Sequence, residues 1–145
     1  MNFKISIITV TLNSSKTLLE CLSSVSEQTY ANIEHIIVDG NSIDNTLELI
    51  KSTNNRVSKV ISESDNGIYH AMNKGINVST GDIVGFLNSD DKFYNKYSIE
   101  LIVNSFINEK HIDCVYGNLI YVNQQNKITR NWVSCEYEVG LFEKS

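Results

Sequence analysis

The residues of greatest chemical interest in this chain are two adjacent carboxylates, Asp90 and Asp91. They close the run Asp82-Ile83-Val84-Gly85-Phe86-Leu87-Asn88-Ser89. Two like charges side by side repel each other. They are tolerable in solvent, and useful where a divalent cation stands between them and something anionic. The preceding residues are apolar, β-branched and aromatic, and read as a buried strand. In an open parallel sheet, ligands bind just beyond the carboxyl ends of strands. The plain alternative is a pair of surface acids in a turn.

Three further polar clusters follow apolar runs: Thr11 to Asn13, Asp39 to Ser42, and Glu63 to Gly67. A carboxylate such as Asp39 at a strand end can accept from ribose hydroxyls or a base N–H, or can instead cap the turn of Asp-Gly-Asn-Ser. Asp65-Asn66-Gly67 taken alone is a simple turn. Asn73 and Gly75 fall in a helical pattern. A glycine there costs about 1 kcal/mol against alanine, so it admits close approach of a ligand, of a neighbouring backbone, or of a tightly packed element. Neither a Gly-x-Gly-x-x-Gly nor a Gly-x-x-x-x-Gly-Lys-Ser/Thr stretch is present, so both phosphate-cradling fingerprints are missing. A diphosphate in this crevice would need its charge met by Mg²⁺ or Mn²⁺ on carboxylates, and Asp90 and Asp91 are the natural holders.

The elements that must position these groups read as follows. Residues 5–10, 33–38, 57–62 and 82–87 are strands. Helical spacing joins Leu18, Cys21, Leu22 and Val25, then Leu47 and Ile50 in a helix from about Asp44, then Ile68, Ala71, Met72, Gly75 and Ile76. Ile99, Ile102, Val103, Phe106 and Ile107 give an amphipathic fourth helix. Residues 113–122 and 127–133 alternate about Asn123-Gln124-Gln125-Asn126, a hairpin signature. Strands alternating with helices predict an α/β, doubly wound, Rossmann-like fold: a mostly parallel mixed sheet flanked by helices, with an antiparallel hairpin near the C-terminus.

Composition narrows the function. The net charge of −5 argues against broad nucleic-acid binding, which needs a basic face. Cys21, Cys114 and Cys135 are odd in number, far apart and not clustered with His35, His70 or His111, which argues against zinc and a disulfide framework. No signal-peptide pattern and no run of the ~20 apolar residues that span a bilayer is present, so the chain reads as soluble and cytoplasmic. Its 145 residues fit a single domain.

Taken as an ordered set, several stretches resemble family-two inverting glycosyltransferases of the GT-A fold. They are Ile5-Ser6-Ile7-Ile8-Thr9-Val10-Thr11-Leu12-Asn13, Ile36-Ile37-Val38-Asp39-Gly40-Asn41-Ser42, Glu63-Ser64-Asp65-Asn66-Gly67-Ile68-Tyr69-His70-Ala71-Met72-Asn73-Lys74-Gly75 and Leu87-Asn88-Ser89-Asp90-Asp91. More narrowly, they look like bacterial sugar transferases of exopolysaccharide, O-antigen and colanic-acid-type assembly. The resemblance implies that Asp39 holds the nucleoside and that Thr11 and Asn13 line the base pocket. Asp65, Asn73, Gly75 and Asn88 would border the nucleotide. Asp90 would face ribose or metal, and Asp91 would hold the metal. Two positions depart from the family: Leu12 stands where Tyr is frequent and cannot stack, and Met72 stands where Arg is common and cannot meet a phosphate.

The implied reaction is inverting transfer from a nucleotide-diphospho-sugar, UDP first, to a saccharide or lipid-linked acceptor, with Mn²⁺ or Mg²⁺ as cofactor. Peripheral contact with the inner membrane face is compatible with it. Glu136, Glu138 and Glu143 sit in no motif for the general base, which is expected beyond residue 145. The 145 residues are then expected to be a donor-binding portion, truncated before the acceptor-binding half. The competing readings are a non-catalytic nucleotide-binding module, a nucleotidyltransferase and a phosphoacceptor receiver. The nucleotidyltransferase wants a Gly- and Lys/Arg-rich loop where Leu12 to Lys16 stand. The receiver wants acids after the first strand.

Overall fold

A computed structural model of the chain describes residues 2–109, 111–123 and 125–136. They divide into two compact units, Met1–Asn108 and Glu109–Ser145.

The first unit is built on four strands, β1 (Ile5–Thr11), β2 (Ile33–Asp39), β3 (Val57–Ser62) and β4 (Ile83–Phe86), in the order β3-β2-β1-β4. Every pairing among them is parallel. Parallel neighbours require a crossover, and a helix supplies each one: α1 (Leu18–Ser26), α2 (Thr46–Ser52) and α3 (Ile68–Val78), with α4 (Ser98–Asn108) following β4. β1 and β2 are central and buried, so their apolar runs are continuous rather than alternating.

Side chains alternate across the sheet. Ile5, Ile7 and Ile37 join Leu18, Cys21, Leu22, Val25, Ile99 and Val103 in one apolar layer. Ile8, Val10, Ile36 and Val38 meet Ala71 of α3 in the other. Gly75 lets α3 lie directly on β1, since a Cβ there would collide with the side chain of Ile8. The close approach foreseen at Gly75 is therefore one of helix on strand.

β4 differs from expectation. It forms an edge of this sheet, with Val84 and Phe86 facing solvent, Phe86 at 46% exposure. An apolar run reports the residues' preference and not the number of neighbours its strand acquires. Ile107 of α4 is likewise exposed despite fitting the helical stripe.

In the second unit, β5 (Leu119–Val122) and β6 (Ile128–Trp132) pair antiparallel as a two-stranded sheet, with an irregularity at Tyr121/Val122. Gln124, in the turn, lies outside the described residues.

Candidate functional site

The parallel topology brings four strand ends to one edge. Thr11, Asp39 and Ser62 stand side by side in register, and Leu87 N donates to Ile8 O at 3.0 Å, so the 88–91 segment leaves β4 at the same edge. β2 and β4 flank β1. Asp39 and the start of the acidic segment are thus two strand spacings apart, roughly 10 Å.

Asp39 is fully buried. Its Oδ2 accepts from Ser42 N at 3.0 Å and from Ser62 Oγ at 2.7 Å, and its Oδ1 accepts from Ser42 Oγ. The turn-closing reading of Asp39 is therefore realised. With about four lone-pair sites on a carboxylate, capacity for roughly one more donor remains. Next to it in register, Thr11 Oγ1 is buried with no hydrogen-bond partner. A buried hydroxyl without a partner at a strand end is a place where a ligand's polar group gains most.

Asp65 completes this end. A Cβ added at Gly40 would lie 2.9 Å from Asp65 Oδ2 and 3.5 Å from the Leu12 side chain. The three residues therefore crowd one spot, and a side chain at position 40 would have to displace the Asp65 carboxylate. Asp65 Oδ1 accepts from Gly67 N at 2.8 Å, which closes the turn into α3; Gly67 itself has φ +107°. Leu12 is 59% exposed and presents an aliphatic wall at this place.

Asn13 plays a part the sequence did not disclose. It is left-handed, with φ 51°. Its N–H donates to Ser42 Oγ at 2.8 Å, and its Oδ1 accepts from Ile43 N at 2.9 Å. The side-chain carbonyl is thus committed to fastening the β1–α1 loop to the β2–α2 loop. Ser14 N donates to Thr46 Oγ1 at 2.9 Å and Ser15 N to Asp44 Oδ2 at 3.1 Å, which continues the seam. The Thr46 hydroxyl first, then Ser15 and the Thr46 amide, hold the Asp44 carboxyl well below the usual range against an opposing desolvation. Asn73 is exposed on α3, and Gly75 is buried against Ile8 of β1.

At the other end, Asn88 Nδ2 donates to Asp91 Oδ2 at 3.0 Å, and Ser89 Oγ meets Ser14 Oγ at 2.9 Å. Asp90 and Asp91 are exposed. Both lie near Cys21 of α1: burial chiefly pushes its thiol up to about 11, the Thr9 hydroxyl opposes this, and the two carboxylates raise it further. Among the described residues no three His, Cys, Asp or Glu converge. The donor set is two hard, exposed carboxylates, of which Asp91 Oδ2 already accepts from Asn88. That fits Mg²⁺ or Mn²⁺, which keep waters and share substrate phosphates, and does not form an all-protein cage.

A shallow groove of about 420 Å³ lies elsewhere, between α1 and residues 92–96, and includes neither Asp39 nor the two acids. Of the three candidate acids for a base, Glu136 is described, in the second unit, whereas Glu138 and Glu143 lie outside the described residues. No helix among the described residues is long and apolar enough to cross a membrane.

The chain is similar to known sugar transferases. A mycobacterial PGL/p-HBAD biosynthesis glycosyltransferase, from Mycobacterium tuberculosis, is 38% identical over 119 residues, which is 79% of this chain and 46% of that protein. The glycosyltransferase GlyG of Streptococcus pneumoniae is 36% identical over 121 residues, 81% of this chain and 40% of its own length. The chain thus spans under half the length of these relatives. S. aureus TarS 1–349 in complex with UDP-GlcNAc superposes with a TM-score of 0.67 at 26% identity, covering 74% of this chain and 32% of TarS. The mannosyltransferase PcManGT of Pyrobaculum calidifontis shares the fold at a TM-score of 0.67 and 21% identity, over 86% of this chain and 36% of that one. The model of glycosyl transferase family 2 matches residues 6–142, and the chain belongs to that family.

Proposed function

We propose that these residues bind the nucleotide-sugar donor of an inverting glycosyltransferase, with a UDP-sugar as the first candidate. The observation that carries this reading is the shared edge: buried Asp39 with the unpartnered Thr11 hydroxyl at one end, and open Asp90 and Asp91 roughly two strand spacings away at the other. A nucleoside at Asp39, Thr11 and Asp65 would extend its diphosphate along the ends of β1 and β4 towards the acids. The complex of TarS with UDP-GlcNAc, at 26% identity, supports the donor class.

In this reading Asp39 takes one further donor from ribose or base, and Asp65 Oδ2 borders the same pocket beside Gly40 and Leu12. Asn13 and Ser42 keep the two loops closed on each other, so the nucleoside end is formed before the ligand arrives, which lowers the ordering cost of binding. Asp90 and Asp91 would hold the Mg²⁺ or Mn²⁺, whose charge neutralises the departing diphosphate. The acceptor is a saccharide or a lipid-linked saccharide, met at the cytoplasmic face of the membrane in cell-surface polysaccharide assembly. A base on the whole protein removes the acceptor proton as the hydroxyl attacks opposite the leaving group.

The test is a calorimetric titration of UDP, GDP and dTDP with and without Mn²⁺, paired with Mn²⁺-dependent hydrolysis of a UDP-sugar. UDP should bind most tightly, Mn²⁺ should strengthen it, and Asp91→Ala should abolish both the gain and the hydrolysis. Binding that ignores both Mn²⁺ and Asp91→Ala would contradict it.

A further inference from the structure

Gln28 follows α1 and is 2% exposed. Its one amide makes three hydrogen bonds across 71 residues of sequence. Nε2 donates to Ser24 O of α1 at 2.9 Å and to Asn95 O at 2.8 Å, and Oε1 accepts from Ile99 N in the first turn of α4 at 3.0 Å. Neighbouring bonds run the same way. Phe93 N donates to Ser24 Oγ at 3.2 Å, and Thr29 N and Oγ1 donate to Lys96 O at 2.8 and 3.1 Å. On the other side of the acids, Ser89 is tied to Ser14. Between those two anchors, Ser89 and Phe93, stand Asp90, Asp91 and Lys92.

We infer that Gln28 is a positioning residue for the Asp90 and Asp91 carboxylates. The buried amide fastens Asn95 and Ile99 to α1, beside the Ser24 and Thr29 bonds that hold Phe93 and Lys96, and a segment of three residues between two fastened points has little freedom left. Without the clamp the acids would have to be ordered by the ligand itself, at a cost to affinity. The groups supporting a metal's carboxylates typically change metal affinity 10- to 100-fold when removed. This inference rests on the donor-site reading above.

The test uses the 145-residue chain with UDP in EDTA and UDP with Mn²⁺. Gln28→Glu keeps the shape but turns a carboxylate towards two carbonyl oxygens. Ser24→Ala removes the acceptor for Phe93 N together with the hydroxyl's own bond to Cys21 O, leaves the Gln28 amide in place, and serves as the milder variant should Gln28→Glu fail to fold. The expected result is an unchanged UDP affinity in EDTA, with the affinity gained from Mn²⁺ cut roughly tenfold in Gln28→Glu and less in Ser24→Ala. Equal weakening in both buffers, or no change in either, overturns the positioning role while leaving the donor site standing. A wild-type chain whose UDP affinity gains nothing from Mn²⁺ overturns the donor-site reading, and the role of Gln28 with it.

Discussion

Replacing His35 should remove a large part of the acid sensitivity of this fold. The imidazole is fully buried on the inner face of β2. Its Nε2 is 3.0 Å from Thr9 Oγ1, and its Nδ1 has no partner. Burial pushes its pKa from 6.5 down to about 4. Between those values the unfolded chain takes up a proton that the folded chain refuses. Stability is therefore complete above pH 6.5 and lost as the pH falls towards 4, by about 1.4 kcal/mol for each unit. Over the full interval of two and a half units the loss is about 3 kcal/mol, a large share of the 5–15 kcal/mol typical of a domain.

The assay is urea unfolding of wild type and His35→Gln at pH 7.5, 6.5, 5.5 and 4.5. His35→Gln should start less stable, because it disturbs a packed site, yet lose far less than wild type on acidification. The two curves should converge by about 2–3 kcal/mol at the lowest pH. Parallel curves, with the same loss in both proteins, would refute the assignment of this proton to His35.

Two further perturbations probe the packing. Gly75→Ala places a methyl group against the fully buried Ile8, which has nowhere to move. Overpacking of about 1–3 kcal/mol outweighs the helix-propensity gain of about 1 kcal/mol, so thermal unfolding should show a lowered Tm; a raised Tm would mean that α3 stands further from β1. For the cysteines, Cys114 and Cys135 are exposed, whereas Cys21 is buried with its thiol held protonated up to about 11. A disulfide reagent at pH 8 should titrate two thiols in the native protein and the third only in denaturant.

Much of the fold could be read because it depends on local pattern. The β-branched runs at β1 and β2 and the helical spacing of Leu18, Cys21, Leu22 and Val25 each announce an element without reference to the rest of the chain. The shared edge of Thr11, Asp39, Asp65 and the two acids followed from the parallel topology alone. What was illegible depends on partners distant in sequence. Asn13 reads as a polar loop residue, and its fastening role appears only when Ser42 and Ile43 arrive from 29 and 30 residues away. Gln28 carries no local signal at all, since two of its three partners lie 67 and 71 residues on. The solvent-facing Phe86 was misread for the same reason: its environment is set by which strand pairs with β4, a fact its own neighbours in sequence do not contain. His35 carries no local sign of its burial, which is set by the position of β2 inside the sheet.

The most direct test of the donor site is paramagnetic broadening by Mn²⁺ in the presence of UDP, read from the amide spectrum of the ¹⁵N-labelled chain. Asn88, Ser89, Asp90 and Asp91 should fade first and Ser14 with them, while UDP in EDTA should shift Thr11, Gly40 and the 65–67 turn. Broadening centred on the opposite edge of the sheet, at Glu34 and Asp82, or on Glu20 and Glu27 of the α1 groove, would contradict it.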